Sequence, residues 1–383
     1  MDFFLNGIST LGSGLVGYGL PFLIMLTIVV FFHELGHFLV ARWCGVKVLT
    51  FSVGFGQELF GFTDRHGTRW KLAAIPLGGY VRFFGDESEG STPSASALDA
   101  MSMDDRKVSF HHKNVAQRAA IVAAGPIANF LLAIVVFAGL YTLYGKPSAT
   151  ARVDVVEVGS AAAAAGFQPG DVVTSIDGSS IDSFSDMQRI VSMRAGQELS
   201  VSVKRGDSNV VLKATPQLRE MKDAFGTPHK VGVLGIKRNE ITTEKVDPLT
   251  AVWLGAKQVW NVIDSTFTFL GGLFAGRGGA DQIGGPIRIA QLSGQAASLG
   301  FDYFMNLTAV ISVSIGLLNL FPVPLLDGGH LMYYLVEFVR GRPLSERAQE
   351  MGFRVGLALV LMLMIFATYN DILHISSIFK VAS

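Results

Sequence analysis

The run His33-Glu34-Leu35-Gly36-His37 sets two imidazoles four residues apart with a carboxylate between them. On a helix, side chains at i and i+4 project from one face about 6 Å apart, a spacing that suits two ligands of a single Zn2+. Glu34 is too close in sequence to be a comfortable third ligand, yet it can reach a metal-bound water, the place for a general base. A catalytic zinc keeps three protein ligands and one open position, so one more ligand must come from elsewhere in the chain. Cys44 is the single cysteine, which excludes an internal disulfide, a Cys-rich zinc module and an iron–sulfur site built from this chain alone. Any metal must therefore be held by histidines and carboxylates.

The segment that carries this motif is apolar. Residues 3–32 bear no charge, and Pro21–Val40 is rich enough in Leu, Ile, Val and Phe to cross a ~30 Å hydrocarbon core. An ionisable side chain deep in such a span costs roughly 2.5–3.5 kcal/mol on insertion scales, so a Glu and two His kept together there point to function. The first basic residue is Arg42, after the span, so the segment lacks the flanks of a cleaved signal peptide. His33 precedes Arg42 by nine residues, which puts the site ~13 Å inside the boundary at helical rise.

Further uncharged runs predict three more spans: Ala119–Tyr144, Tyr303–Leu326 continuing past Asp327 toward Val336, and Val355–Asn370. Arg42, Lys47, Arg106, Lys107, Lys113 and Arg118 crowd the first loop, and Arg340, Arg342, Arg347 and Arg354 the last. By the positive-inside rule both loops are cytoplasmic and both termini external. The whole composition agrees: 50% of the 383 residues are hydrophobic and 16% charged, a membrane balance. The 31 basic residues offset 31 acidic ones, so nothing recruits nucleic acid.

Asp327 is the one acidic residue that this reading embeds in another span, and it is the candidate third ligand. It lies in Asn319-Leu-Phe-Pro322-Val-Pro324-Leu-Leu-Asp327-Gly328-Gly329, where two prolines and two glycines must interrupt the helix. Unwound backbone at membrane depth is tolerated only where it lines a protein cavity. His330, three residues on, is at best a neighbour of the ligands; His66, His111, His112, His229 and His374 lack a partner at ligand spacing. Cys44 reads as a small interfacial residue.

Taken together, His33–His37, Asn319…Leu326-Asp327-Gly328 and Gly125-Pro126-Ile127-Ala128-Asn129 resemble the site-2 proteases, intramembrane zinc metalloproteases, and most closely the bacterial regulator-of-sigma-E protease type. The resemblance implies that His33, His37 and Asp327 bind Zn2+, that Glu34 is the catalytic base, and that Asn319 aids the site or the substrate. Lys47–Val81 reads as a β-hairpin around Asp64-Arg65-His66-Gly67. In the family the similar segment is a membrane-associated hairpin beside the active site, and its strand edge could pair with an unwound substrate.

Between the second and third spans, Val153–Gly178 alternates strand, turn and strand, with a helix over Phe184–Ala195. This pattern resembles a PDZ domain ending near Pro216, with room for one such domain where relatives of the type are known with two. PDZ grooves bind extended peptides or chain ends, so a peptide ligand is implied. Ala251–Phe274 contains Lys257, Asn261 and Asp264, with Trp253 and Trp260 on one face, and reads as an interfacial amphipathic helix in preference to a fifth span. Glu87–Asp105 reads as a flexible cytoplasmic loop.

The expected fold is thus a polytopic α-helical membrane protein of about four spans, with a membrane-associated β-hairpin and one extracytoplasmic PDZ-like α+β domain. Its parts are residues 1–145 (spans one and two), 146–218 (PDZ-like), 219–300 (linker and interfacial helix) and 301–383 (spans three and four). The expected activity is cleavage of transmembrane segments, such as those of anti-sigma factors or remnant signal peptides, in the bacterial inner membrane. Two alternatives stand beside it. A metal transporter would need polar groups relayed through several spans, and a catalytically inactive PDZ scaffold would have no use for Glu34.

Overall fold

A computed structural model describes residues 15–85, 101–147, 150–181, 183–222, 228–238, 243–274 and 284–382. Most of the polar loop expected at Glu87–Asp105, including Ser94, lies outside these residues. The described chain forms two compact units, one built from residues 1–140 and 248–383 and the other from Tyr141–Asp247.

In the first unit, helix α1 (Leu20–Trp43) follows a short π-helical turn and has a proline in its first turn, where a missing N–H costs nothing. It stops where Gly45 takes a φ of 72° and Val46 N–H reaches back to Ala41 O at 2.9 Å. Strands β1 (Val48–Thr63) and β2 (Arg69–Phe83) form the expected hairpin. The Asp64 carboxylate closes its turn by accepting from the N–H groups of His66 (2.8 Å) and Thr68 (3.0 Å).

The hairpin is more folded than its alternation suggests. Both strands bend, so that Thr50–Val53 stands against Arg69–Leu72 on one side and Gly79–Arg82 on the other. The bends fall at Gly54 and Gly56 (φ 90° and 85°) and at Gly78 (φ 134°), where a side chain would be strained. Phe51 stacks on Trp70 at 4.3 Å and both meet Phe38 of α1, which fastens the sheet to the helix.

Helix α2 (Met103–Val108) is short and N-capped by Ser102, and α3 (Val115–Tyr144) contains Pro126. In the second unit come β3 (Lys146–Pro147), β4 (Val155–Val156), α4 (Ala161–Ala165), β5 (Val172–Ile176), β6 (Ser179–Ser180) and α5 (Phe184–Met193). They are followed by β7 (Leu199–Arg205), β8 (Ser208–Ala214), β9 (Gln217–Lys222), β10 (Pro228–Val233), β11 (Ile236–Lys237) and β12 (Thr243–Glu244). The central sheet runs β6-β5-β7-β8. Val173, Ile176, Leu199, Val201 and Val203 bury one face of it against Met187 and Val191 of α5. Asp177 and Gly178 both take positive φ (47° and 79°), giving a tight turn between β5 and β6. The described residues among 219–247, read from sequence as linker, instead contribute to this unit: β11 pairs with β4, β12 with β3, and Leu234 joins its core.

The chain then returns to the first unit with α6 (Pro248–Phe274), α7 (Pro286–Leu299), α8 (Phe301–Asn319), α9 (Asp327–Arg340) and α10 (Glu346–Ala382). Among the described residues, four helices are long and apolar enough to cross a membrane: Val16–Trp43, Val115–Tyr144, Phe301–Asn319 and Arg347–Leu373. The third ends sooner than expected, because α8 stops at Asn319 and the prolines hold residues 320–326 out of helix; α9 is a separate element. The fourth is longer than Val355–Asn370 and takes in Asp371. Helix α6, which covers Ala251–Phe274, is not among the four. Small residues let the helices close up: a Cβ on Gly36 of α1 would overlap Ala124 O of α3, and one on Gly316 of α8 would sit 3.1 Å from Pro126 O.

Candidate metal centre

Helix α1 turns His33 and His37 to one side, as the four-residue spacing requires, with their rings edge to face at 4.8 Å. Asp327 arrives from the other end of the chain as the first residue of α9, released by the break that Pro322 and Pro324 enforce. Its Oδ2 lies 3.2 Å from His33 Nε2 and 3.6 Å from His37 Nε2, and the two Nε2 atoms are 3.2 Å apart. The three side chains offer ligand atoms within 4.8 Å of one another, and they are the one such His/carboxylate group among the described residues. Three donors converging this closely, two of them imidazoles whose outer nitrogens face inward, form a set that fits tetrahedral Zn2+ with a position left over. Asp327 Oδ2 is buried with no hydrogen-bond donor among the described residues, which suits a metal ligand.

Helix α3 supplies the wall behind the rings. Pro126 lacks the N–H that would bond to the Val122 carbonyl four residues back, and the adjacent Ile121 carbonyl accepts from His37 Nδ1 at 2.9 Å. Gly125 leaves the space the rings occupy, since a Cβ there would overlap His37 Nε2 and stand 2.9 Å from His33 Cε1. Asn129 stands at His33 Nδ1, 3.3 Å away.

Glu34 is half-buried and shares the electrostatic field of His37, His33 and Asp327. Its Cγ would be 3.1 Å from a Cβ on Gly79, so the outer segment of β2 runs directly past the carboxylate. Asn319, the last residue of α8, points Nδ2 at His33 Nε2 over 3.4 Å and so borders the ligand set. All five residues singled out from sequence therefore meet at one place. His330 turns its ring toward Tyr333, 6.1 Å between centroids, and stays outside the ligand group.

Two polar groups were not given roles by sequence reasoning. Asn129 sits inside the Gly125–Asn129 motif and is fully buried, and its polar character in an apolar run is the signal that could have flagged it. Asp371 was hidden because the expected fourth span ended one residue before it. It is no rival to Asp327: its carboxylate is spent on the N–H groups of Gly285 (2.8 Å), Ile287 (3.0 Å) and Arg288 (3.2 Å) at the start of α7. That bond set also explains the Gly284-Gly285-Pro286 segment, which opens a helix capped from another element.

Membrane-length helices that enclose an HExxH turn and a distant carboxylate define a membrane-embedded zinc metallopeptidase. The model for Peptidase family M50 matches residues 21–363, and the chain belongs to that family. It is 52% identical over 360 residues, covering 93% of this chain and 96% of the relative, to "Putative zinc metalloprotease R01501" of Rhizobium meliloti (strain 1021). It is 42% identical to "Metalloprotease MmpA" of Caulobacter vibrioides, covering 91% of this chain and 94% of that one. Among solved structures, the PDZ domain of an SdrC-like protein from Listeria monocytogenes covers 24% of this chain and 87% of its own at 24% identity, with a TM-score of 0.19. The protein is a multi-pass, zinc-dependent intramembrane metalloprotease.

Proposed function

We propose that His33, His37 and Asp327 hold the Zn2+ and that Glu34 is the general base for hydrolysis of peptide bonds within transmembrane segments. The observation that carries this reading is the convergence of three ligand atoms within 4.8 Å from α1 and α9, elements at opposite ends of the sequence. Zn2+ held by these residues would lower the pKa of an attacking water and polarise the scissile carbonyl. Glu34 takes the proton from that water and passes it to the leaving amine. Asn319 Nδ2, at the border of the ligand set, donates to the oxygen on which negative charge develops.

A helical substrate hides its carbonyls, so it must unwind to be cut. The outer β2 segment Gly79–Phe83 pairs with β1 on one side and passes Glu34, and an extended substrate strand added along it would lie against the base. Suitable substrates are membrane-anchored regulators such as anti-sigma factors, or remnant signal peptides. The basic residues of the first and last loops support a cytoplasmic position for those loops in the bacterial inner membrane, with both termini and the Tyr141–Asp247 unit on the other side. The sheet and α5 of that unit suit a single PDZ-like domain that takes a peptide chain end.

Zinc analysis of purified full-length protein, paired with cleavage of a model membrane peptide, tests the site. Glu34→Gln should retain stoichiometric zinc and lose cleavage by about 10²-fold or more. Asp327→Asn should lose both, because a neutral amide is a poorer ligand. Undiminished cleavage by Glu34→Gln would remove the base from the scheme, and full zinc in Asp327→Asn would move the third ligand elsewhere.

A further inference from the structure

His33 and His37 face one problem that the structure solves twice. A neutral imidazole that gives the Nε2 lone pair to a metal carries its proton on Nδ1, and inside the protein that N–H needs an acceptor. For His37 the acceptor is the Ile121 carbonyl at 2.9 Å. For His33 the group in place is the Asn129 carboxamide, 3.3 Å from Nδ1 through its Nδ2.

The two ends of a carboxamide are nearly equal in size, and a half-turn about χ2 exchanges them in the same space. Asn129 Oδ1 is buried and has no hydrogen-bond donor among the described residues, so the turn breaks no bond of its own. We propose that Asn129 presents Oδ1 to His33 Nδ1–H and so fixes the tautomer that leaves Nε2 for the Zn2+. It is a positioning residue, acting through His33 without touching the substrate.

The surroundings of Asn129 hold its backbone and leave its amide to this task. Ser312 Oγ of α8 donates to Asn129 O at 2.9 Å, and Gly316 packs where an added Cβ would be 3.1 Å from Asn129 Cβ. Helix α8 thus clamps the residue from behind. The inference rests on the proposed assignment of His33, His37 and Asp327 as zinc ligands.

The test is zinc affinity of the detergent-solubilised full chain, by competition with a chromogenic chelator, for the parent, Asn129→Leu, Asn129→Asp and His33→Ala. Asn129→Leu should bind zinc about 10–100-fold more weakly, the usual cost of removing a partner behind a ligating histidine. Asn129→Asp, which still offers an acceptor, should return affinity to within a few-fold of the parent. Nitrogen-15 spectra of the zinc-loaded parent with labelled histidines should show His33 protonated at Nδ1 and metal-bound at Nε2. Parent-like affinity in Asn129→Leu, equal loss in Asn129→Leu and Asn129→Asp, or a His33 bound through Nδ1 would each overturn the proposal. The spectrum of the parent decides alone if Asn129→Leu does not fold. Absence of stoichiometric zinc from the parent, or its retention in His33→Ala, would instead break the ligand assignment first, and this inference with it.

Discussion

Gly125 faces both imidazoles, and a methyl group there would overlap His37 Nε2 while crowding His33 Cε1 at 2.9 Å. Overpacking of this kind costs about 1–3 kcal/mol, which in metal affinity is about 5- to 150-fold. Gly125→Ala should therefore insert and fold yet purify with well under one zinc per chain, as metal analysis would read. Full stoichiometry would mean that the rings have room to move. At this scale the sequence was legible wherever spacing alone fixes geometry, as for His33, Glu34 and His37. Asp327 was found by elimination among acidic residues in apolar runs, an argument that survives only because Asp371 is already satisfied by backbone N–H groups. The contact between Asn129 and His33 could not be read, because which helix faces which is decided by close approaches such as Gly36 on Ala124 O.

Helix α7 shows how one element depends on a side chain from another. Gly285, its N-cap, has no side chain to offer, and Asp371 of α10 closes the exposed amides in its place. Further along α7, a Cβ on Gly294 would stand 2.9 Å from Tyr18 Cα, and Ser293 Oγ lies 3.7 Å from Met25 Sδ. The cap therefore steadies the helix that braces α1. Asp371→Leu should cost about 1–2 kcal/mol and speed hydrogen exchange at Ile287–Ile289, leaving zinc stoichiometry unchanged. Exchange as slow as in the parent would show that packing alone holds α7.

Just before β5 in the second unit, Asp171 is fully buried and receives Arg205 Nε at 2.7 Å and Nη2 at 2.8 Å, with Gln168 N–H at 2.9 Å. Hydrogen bonds from the Arg205 guanidinium hold its carboxyl below the usual carboxylate range, against the opposing effect of burial. A carboxyl depressed on folding stabilises the folded form above its unfolded pKa of ~3.9, and the stabilisation is lost as pH falls through the lower folded value. Exchange protection of Val172–Ile176 in the intact chain should stay level from neutral pH to about 5 and fall below about 4, and Arg205→Met should flatten that fall. An unchanged pH profile in the variant would dissociate the pair from stability. Asp177-Gly178 after this strand is a turn signal that the sequence carries, whereas β11 and β12 were not legible: two-residue strands that pair with the distant β4 and β3 leave little local periodicity.

At the scale of the whole molecule the arginine distribution makes a topological prediction: in a Cys44→Ser background, cysteines placed at Ser94 and Ser208 should be labelled from the cytoplasmic and the external side respectively. Labelling from one side only would overturn the four-span arrangement. Under the proposed topology the second unit, which carries none of the proposed site residues, would stand outside the membrane and would act on access. Its bulk, or a peptide groove, can exclude substrates with large external parts and admit those trimmed beforehand. Testing this requires removal along the unit's real boundary. A deletion of residues 146–218 would strip β4 from β11 and β3 from β12, leaving unpaired strands behind. Lys146 pairs with Glu244, so the ends of the unit lie side by side and a short Gly/Ser link can replace residues 146–244 without stretching the chain. The shortened protein should keep its zinc, cleave a pre-trimmed membrane substrate at close to the parental rate, and now also cleave the untrimmed form. Loss of both cleavages with zinc and expression preserved would assign the unit to substrate presentation, and the exclusion role would have to be abandoned.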